Sequence, residues 1–444
     1  MRSKPLLPSL FLVFSLATSV YAQQVPGLEK FKPLPAPKTT HLILKEGDRL
    51  AICGDSITEQ KMYSRIMEDY LTMCVPELKI TVRQFGWSGE KAPGFLARMT
   101  NDCLRFKPTI ATTCYGMNDH LYRPYEDEIG KTYREKTAAI DEAFKANGVR
   151  VVQGSAGCVG KMPTWVKGTN GTFEDLNLNL CTLRNIGIEV AEKENVGFAD
   201  VFWPMLAGGV KAREKYGADY AISGKDGVHP GWAGHTVMAY AFLKAFGLNG
   251  DIGVFSVDLK ANKIKVSKGH EVVSQKEGEF QIKSSRYPFC ACVPETNGPP
   301  TYPVCASDEV IKDNSIRSAM TLIPFNQELN RLTLIVKSGK AKNYRVTWGT
   351  DSRRFTSEQL AKGVNLAEEF PSNPFGEAFA KVDSAVAAKQ AFETKQIKQE
   401  FRKREAKTDM EGVVAATEKE RAPLAEAIRN AFAPVTHTIK IVAE

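Results

Sequence analysis

Between residues 49 and 250, short apolar runs alternate with longer amphipathic segments, and this alternation restricts the folds that the chain can adopt. The apolar runs have the length of buried strands, and the amphipathic segments have the length and periodicity of helices. The predicted strands are 50–53, 78–85, 108–115, 149–154 and 196–202, and the predicted helices are 63–74, 92–106, 126–147, 176–195 and 231–246. Parallel strands require long crossover connections, which are usually helical and right-handed. The alternation therefore predicts a three-layer α/β/α domain with a parallel sheet over residues 49–250.

The pattern changes after residue 250, where short alternating runs are separated by Gly, Asn and Ser turns. These runs predict a small antiparallel β module accessory to the first domain, and the pattern leaves open whether it is a separate domain or wraps the first one. Its predicted strands are 252–259, 263–266, 270–273, 280–283, 318–323, 329–337 and 344–348. Helical patterns follow at 358–370, 377–407 and 418–432, and a last strand at 434–442 is expected to return to the β module. The charged stretch 393–407 predicts a solvated helix face, with a partner or anionic surface as the alternative.

The first 22 residues have the pattern of an export signal. Arg2 and Lys4 precede an apolar core at 6–20, and Val20-Tyr21-Ala22 offers small residues for cleavage. Residues 23–48 are rich in Pro and Lys and predict an extended lead-in. No later stretch has the ~20 consecutive apolar residues of a membrane span. We therefore expect an exported protein, periplasmic or secreted, without a transmembrane segment after removal of residues 1–22.

The net charge and the cysteine content indicate which kinds of partner and bond to expect. The formal charge of +8 is modest for 444 residues, and no arginine–aromatic pattern indicates nucleic-acid binding. Nine cysteines in an exported chain favour disulfides, and their odd number leaves at least one unpaired. Cys53 and Cys114 fall in predicted strands and are expected to be core residues, whereas Cys290, Cys292 and Cys305 lie in a Pro/Gly-rich loop. The Cys290–Cys292 spacing is too tight for a usual zinc site, so we expect no metal.

The first predicted strand ends in Gly54-Asp55-Ser56, directly before a helical pattern. Ligands of open α/β sheets bind outside the carboxyl ends of the strands, which is where a nucleophilic serine would be useful. The alternative is a plain helix N-cap, because Asp, Ser and Thr are the preferred residues at that position.

Three later loops decide between these alternatives. They offer Gly89, then Asn118, then Asp226 with His229, and parallel strands would bring most of them to the same sheet edge. A serine esterase needs a nucleophile, a base, a carboxylate that orients the base, and donors for the oxyanion. Together with Ser56, these loops supply each of those groups.

The loops resemble the four sequence blocks of the SGNH hydrolases, also called the GDSL esterase/lipase family. The blocks occur in the family's order over residues 49–248 and are Gly54-Asp55-Ser56-Ile57, Gly89, Gly116-Met117-Asn118-Asp119 and Asp226-Gly227-Val228-His229. The G-x-S-x-G elbow of ordinary α/β-hydrolases is absent. The resemblance implies a flavodoxin-like sandwich and chemistry that needs neither metal nor cofactor.

Residue by residue, the resemblance makes Ser56 the nucleophile, His229 the base and Asp226 the carboxylate that orients the imidazole. It also implies an oxyanion hole formed by the backbone N–H groups of Ser56 and Gly89 and by the Asn118 side chain. Trp87 and His120 adjoin these blocks and are candidates for the substrate cleft. Tyr115, Trp165 and Trp203 also lie near strand ends, where core packing is the expected role of each and stacking on a sugar ring is the alternative.

The resemblance and the export signal together predict a secreted serine esterase, with acetylated polysaccharide as the expected substrate. One alternative is a lipase or lysophospholipase acting on fatty esters. Another is a glycan-binding protein in which the β module binds and catalysis plays no part. The intact set of four blocks favours an enzyme.

Overall fold

The computed structural model describes residues 25–167, 171–291 and 315–444. The predicted signal peptide at residues 1–22 and the loop cysteines Cys292 and Cys305 lie outside these ranges. Cys290 is buried, and none of the cysteines within the described ranges is in a disulfide there.

Five parallel strands form the central sheet of the N-terminal half, as predicted. They are β1 (Arg49–Gly54), β2 (Thr81–Gln84), β3 (Ile110–Cys114), β4 (Arg150–Gly154) and β5 (Gly197–Ala199). The spatial order is β2-β1-β3-β4-β5, and each neighbouring pair is parallel. This is the flavodoxin-like order, with the change of direction between β1 and β3.

Helices cover both faces of this sheet because successive side chains of a buried strand point to opposite faces. Along β1, Leu50 and Ile52 belong to one apolar cluster, whereas Ala51 and Cys53 belong to the other. The α-helices among the described residues of this half are α1 (Ser56–Glu59), α2 (Tyr63–Met73), α3 (Ala92–Asp102), α4 (Asp127–Ala146), α5 (Phe173–Glu194), α6 (Phe202–Tyr216) and α7 (Trp232–Ala245). Helices α2 and α7 pack together on one face, and α3 packs against α4 on the other. The three-layer prediction is confirmed.

The sequence pattern did not predict helix α6. Its stretch contains Gly208-Gly209, which weakens a helical pattern. A Cβ at Gly209 would come within 2.9 Å of Ile222 Cγ2. The glycine therefore allows α6 to approach the chain that leads to the Asp226 loop.

Two further sheets lie in the C-terminal half, residues 251–444. Their strands are β6 (Asp251–Asp258), β7 (Lys263–Val266), β8 (His270–Lys276), β9 (Glu279–Ser284), β10 (Arg331–Lys337), β11 (Asn343–Trp348), β12 (Asp351–Thr356), β13 (Val364–Asn365) and β14 (Val435–Ala443). One sheet has the order β13-β10-β6-β7, and the other has the order β12-β11-β14-β9-β8. Strands β6 and β10 are parallel, so the expectation of a purely antiparallel module is wrong. A long connection separates them in sequence, and a parallel pair requires one.

The last strand, β14, lies in the middle of its sheet between β11 and β9, which confirms that it returns to the β module. His437 of β14 is buried there and accepts a hydrogen bond from Trp348 Nε1 at 3.0 Å. Strand β14 is thus part of the core of this sheet.

The C-terminal half also contains α8 (Ile316–Met320), α9 (Phe325–Leu329), α10 (Ser357–Lys362), α11 (Leu366–Glu369), α12 (Gly376–Lys398), α13 (Arg404–Thr408) and α14 (Met410–Ala431). The strand predicted at 318–323 is wrong, because that stretch falls on α8 and the turn after it. The Ser315 side chain caps α8 by accepting the N–H of Ser318. Among the described residues, no helix is long and apolar enough to cross a membrane.

Helix α12 packs against α2 and the outer edge of β2. Lys389 Nζ donates to the carbonyl oxygen of Val82 at 2.7 Å, and the N–H of Gln84 donates to Glu393 Oε2 at 3.1 Å. Arg421 of α14 also donates to Glu393, at 2.7 Å. Glu393 is 1 % exposed, so the expectation of a solvated face beginning at residue 393 is wrong there. The charge of Glu393 is balanced by the Lys389 ammonium and the Arg421 guanidinium, which both donate to Oε1.

Asp141 on α4 leads to a prediction about pH. It is fully buried, and neither carboxylate oxygen has a hydrogen-bond partner among the described residues. Burial first, and then the charge of Glu194, raises the pKa of this carboxyl to about 8. The pKa of Asp141 is higher in the folded than in the unfolded chain. Its favourable contribution to the free energy of unfolding is therefore complete below the ordinary pKa of 3.8 and is lost as the pH rises towards 8.

We therefore expect Asp141→Asn to raise the free energy of unfolding at pH 8, and to raise it less at pH 5. Urea unfolding at both pH values measures the two differences. Glu142→Gln, at an exposed position next to it, is the matched control and should show no such trend. If the difference in the free energy of unfolding between Asp141→Asn and the wild type does not change with pH, the raised pKa of Asp141 is contradicted.

Candidate active site

The loops after β1, β2 and β3 meet the loop before α7 at the carboxyl edge of the central sheet. Ser56 Oγ lies 2.8 Å from His229 Nε2, and His229 Nδ1 lies 2.7 Å from Asp226 Oδ2. The structure thus joins Ser56, His229 and Asp226 in one hydrogen-bonded chain. The histidine lies between a hydroxyl and a carboxylate, which is the arrangement that activates a serine.

The turn after β1 leaves the Ser56 hydroxyl available. Asp55, and not Ser56, caps α1, because Asp55 Oδ1 accepts the N–H of Ile57 at 2.9 Å. A Cβ at Gly54 would lie 2.0 Å from Thr58 Oγ1, so only glycine fits at the close of the strand. The helix-cap interpretation therefore belongs to Asp55, and Ser56 is the first residue of the helix.

Asp226 is held by its own loop. Its Oδ1 accepts the N–H groups of Val228 and His229, both at 2.9 Å, which leaves Oδ2 facing the imidazole. Partial burial favours protonation of Asp226, but the two backbone donors and His229 outweigh it and lower its pKa. An ionised Asp226 accepts Nδ1–H, so His229 Nε2 is left as the acceptor for the serine proton.

The predicted oxyanion donors lie on adjoining loops. Gly89 is exposed and has φ +72°, a conformation that favours glycine. Asn118 Nδ2 donates to the carbonyl oxygen of Glu90 at 3.1 Å, so the Asn118 loop contacts the residue after Gly89. The second amide hydrogen of Asn118 is directed towards the Asp55 carboxylate, 3.5 Å away.

Tyr122 fixes the other end of the Asn118 amide. Leu121 and Tyr122 are consecutive non-glycine residues with φ +56° and +53°, which is a strained conformation. This turn brings the Tyr122 hydroxyl back to Asn118, where it donates to Oδ1 at 3.2 Å. With its oxygen occupied, the Asn118 side chain keeps its NH₂ group facing the Ser56 loop.

Two buried carboxyls, Asp119 and Asp55, brace these loops. Asp119 accepts the N–H of Ala92 and the N–H of Gly116, both at 2.9 Å. Burial is the main cause that raises the pKa of Asp119 to about 6 and the pKa of Asp55 to about 7. Within the described ranges, no group of three His, Cys, Asp or Glu residues is arranged to hold a metal ion.

The two cleft candidates differ in exposure. His120 is fully buried, so it has no surface to offer a substrate, and burial lowers its pKa to about 4. This corrects its assignment to the cleft: the tight turn that follows Asn118 points the ring inwards, where Nδ1 bonds to the Met117 carbonyl oxygen. Trp87 is half-buried, and cationic side chains surround its ring.

The expectation of core packing is wrong for Trp165, which is 46 % exposed beside the site, so the alternative of a stacking face stays open for it. Its ring centroid lies 5.9 Å from that of His229 and 6.1 Å from that of Tyr122. It lies in the loop after β4, at the same sheet edge as Ser56, and its place near a strand end is what made it a stacking candidate in the sequence.

A prominent crevice of the described residues lies elsewhere. It has a volume of about 650 Å³ and lies between β2 and α14. Its lining includes Leu71, Val82, Phe106 and Ile428, but none of Ser56, Asn118, Asp226 or His229. Volume alone therefore does not locate the site.

Comparison with known proteins agrees with the local motifs. The model of the GDSL-like lipase/acylhydrolase family matches residues 52–237. An acetylxylan esterase of Geobacillus stearothermophilus is 26 % identical over 219 residues, which covers 45 % of this chain and 94 % of that protein.

Solved structures extend the likeness in fold. A structure described as a gut microbial diltiazem-metabolizing enzyme has a TM-score of 0.71 at 22 % identity, covering 91 % of this chain and 100 % of that one. The likeness includes the C-terminal half. A structure of an acetylxylan esterase from Geobacillus stearothermophilus has a TM-score of 0.37 at 22 % identity, covering 46 % and 96 % of the two chains.

Proposed function

We propose that this chain, which belongs to the GDSL-like lipase/acylhydrolase family over residues 52–237 and is an ester-bond hydrolase, removes acetyl groups from polysaccharide by a serine mechanism. The observation that carries the mechanism is the hydrogen-bonded chain Ser56–His229–Asp226, with distances of 2.8 Å and 2.7 Å.

In the first half of the proposed reaction, Ser56 Oγ attacks the ester carbonyl carbon while its proton passes to His229 Nε2. Asp226 stabilises the resulting imidazolium through Nδ1–H. The tetrahedral intermediate collapses when the carbon–oxygen bond to the alcohol breaks and His229 gives the proton to the leaving oxygen. The products of this half are the free sugar hydroxyl and an acetyl-Ser56 ester.

In the second half, a water molecule gives its proton to His229 and attacks the acetyl carbonyl. Acetate leaves, and Ser56 recovers its proton. Both tetrahedral intermediates carry a negative oxygen, for which we propose the N–H groups of Ser56 and Gly89 and the Asn118 amide as donors. Asn118 would exchange its long contact with the Asp55 carboxylate, 3.5 Å, for the bond to this oxygen. Ser56 is the first residue of a helix, where backbone N–H groups favour negative charge.

Two observations support a carbohydrate substrate. The relative at 26 % identity is an acetylxylan esterase. Trp165 offers an exposed indole face next to His229, and an aromatic face of this kind can pack against the apolar face of a sugar ring. We also propose that the chain is exported, supported by Arg2, Lys4 and the apolar core at 6–20, because its polymeric substrate would lie outside the cell.

The experiment compares three substrates: acetylated xylooligosaccharide, an aryl acetate and an aryl octanoate. We expect release of acetate from the first two and much slower release of octanoate. Trp165→Ala should raise KM for the oligosaccharide about 10-fold, the loss of roughly one stacking contact, and leave the aryl acetate unchanged.

Other results would overturn parts of this proposal. Preference for octanoate would favour a lipase, and absence of ester hydrolysis with intact glycan binding would favour a binding protein. An unchanged KM for the oligosaccharide in Trp165→Ala would remove the sugar-stacking role. Trp165→Phe keeps an aromatic face and serves as the matched variant.

A further inference from the structure

The loop that carries Gly89 is tied to the C-terminal half through Glu59. Glu59 Oε2 accepts the N–H of Ser88 at 2.5 Å and its hydroxyl at 2.6 Å. The same carboxylate accepts two hydrogen bonds from Lys398 Nζ of α12, at 2.7 Å and 2.8 Å. The Glu59 and Lys398 side chains are 19 % and 26 % exposed, so solvent screens this pair only in part.

Trp87, on the other side of Ser88, makes a second connection. The Arg98 guanidinium, the Lys398 ammonium and the Arg402 guanidinium lie 5.1 Å, 5.3 Å and 5.0 Å from its ring centroid. These distances are within the range of cation–π attraction. Arg402 also pairs with Asp102 at the end of α3. Two of the three cations that surround Trp87 therefore come from the C-terminal half.

The residue after Gly89 is anchored as well. Glu90 is 8 % exposed and pairs with Arg98 at 2.6 Å, and its Oε2 accepts the Tyr115 hydroxyl at 2.8 Å. Its carbonyl oxygen accepts Asn118 Nδ2. Gly89 is thus an exposed residue between fixed neighbours, and the direction of its N–H depends on those anchors.

This dependence matters because oxyanion donors act through preorganisation: they are already in place when negative charge develops. Glu59 alone would work against them, since a half-buried carboxylate near Ser88 repels a nearby oxyanion. Lys398 neutralises that carboxylate and holds it in the position that fixes Ser88. Its contribution is therefore both geometric and electrostatic.

We propose that Lys398 is a positioning residue for the Gly89 loop, so that the C-terminal half is part of the esterase site and not a separate accessory module. This inference rests on the function proposed above. It assigns a role in ester hydrolysis to a residue more than 140 positions beyond the last matched family residue, 237.

The test is Lys398→Ala in the full chain, with an aryl acetate as substrate. We expect kcat to fall about 10-fold with KM unchanged, a fraction of the 10²–10³ that follows loss of one oxyanion donor. Lys398→Arg, which can pair with Glu59 and lie over Trp87, should recover most of the rate. Lys395→Ala is the matched control, because Lys395 lies on the same helix in a half-exposed pair with Glu400 at 3.8 Å.

A fluorophosphonate titration counts active sites, so kcat is expressed per reactive serine. If Lys398→Ala lowers only the number of sites or the melting temperature, with the same kcat per site, Lys398 is merely structural and the inference is overturned. Glu59→Gln added to Lys398→Ala should restore part of the rate, since it removes the unpaired charge. Loss of hydrolysis and labelling in the wild-type protein would instead contradict the proposed function.

Discussion

Ser56→Ala is expected to lower kcat for ester hydrolysis about 10⁴- to 10⁶-fold, the range for loss of a catalytic serine. Without Oγ there is no acceptor for the acetyl group, and His229 has no hydroxyl proton to remove. The change deletes one oxygen from a half-exposed position, so the free energy of unfolding should stay within ~0.5 kcal/mol of the wild type. Steady-state kinetics and urea unfolding measure the two quantities.

The control for this variant is Ser285→Ala, an exposed serine of the C-terminal half that donates to the Gly269 carbonyl oxygen at 3.1 Å. It should keep full activity and full labelling by fluorophosphonate. His229→Ala added to Ser56→Ala should cause almost no further loss, because residues that act as a unit are not additive. A second large loss in the double variant would show that Ser56 and His229 act separately.

Lys389→Met is expected to lower the free energy of unfolding by about 3–5 kcal/mol, the cost of leaving buried charges without a partner. Lys389 Nζ lies 3.1 Å from Glu68 Oε1, 2.9 Å from Glu393 Oε1 and 2.7 Å from the Val82 carbonyl oxygen. Its side chain is 2 % exposed. Methionine has a similar length, so the loss reports the charge and the hydrogen bonds rather than a cavity. Urea unfolding at pH 7 measures it.

Lys381→Met is the matched control on the same helix. Its pair with Glu377, at 2.8 Å, is 65 % and 74 % exposed, so the change should cost less than ~1 kcal/mol. Adding Glu68→Gln to Lys389→Met should recover part of the lost stability by removing one unpaired carboxylate. Equal effects at positions 381 and 389 would show that the buried network contributes little.

The fold of the N-terminal half could be predicted from the sequence because its strands, helices and motif loops are each encoded by residues close together in the chain. The strand period of 2 along β1 separates Leu50 from Ala51, and each residue packs into a different core cluster. The Ser56, Gly89, Asn118 and His229 motifs are short, and each follows or precedes a predictable element. Parallel connections bring them to one sheet edge, so their proximity could be predicted from the sequence, and the family resemblance supplied the roles proposed for them.

The C-terminal half was less predictable because its important contacts are distant in sequence. The charged pattern of α12 resembles an exposed helix, yet Lys389 and Glu393 pair with α2 and β2, some 300 residues earlier. The stretch 318–323 has the apolar alternation of a strand, but Ser315 caps a helix that extends to Met320, and a turn follows. Trp165 belongs to no motif, so its sequence position left core packing and sugar stacking both open, and its exposure beside His229 favours the second.

The cover over β2 has a consequence for the solubility of the protein. An edge strand presents unpaired N–H and C=O groups to which a strand of another molecule can add. Here the outward carbonyl of Val82 and the outward N–H of Gln84 already bond to Lys389 and Glu393, so the side chains of α12 take the place of a neighbouring strand. If proteolysis removed α12, β2 would become a template for intermolecular strand addition. The helix therefore protects the chain against aggregation.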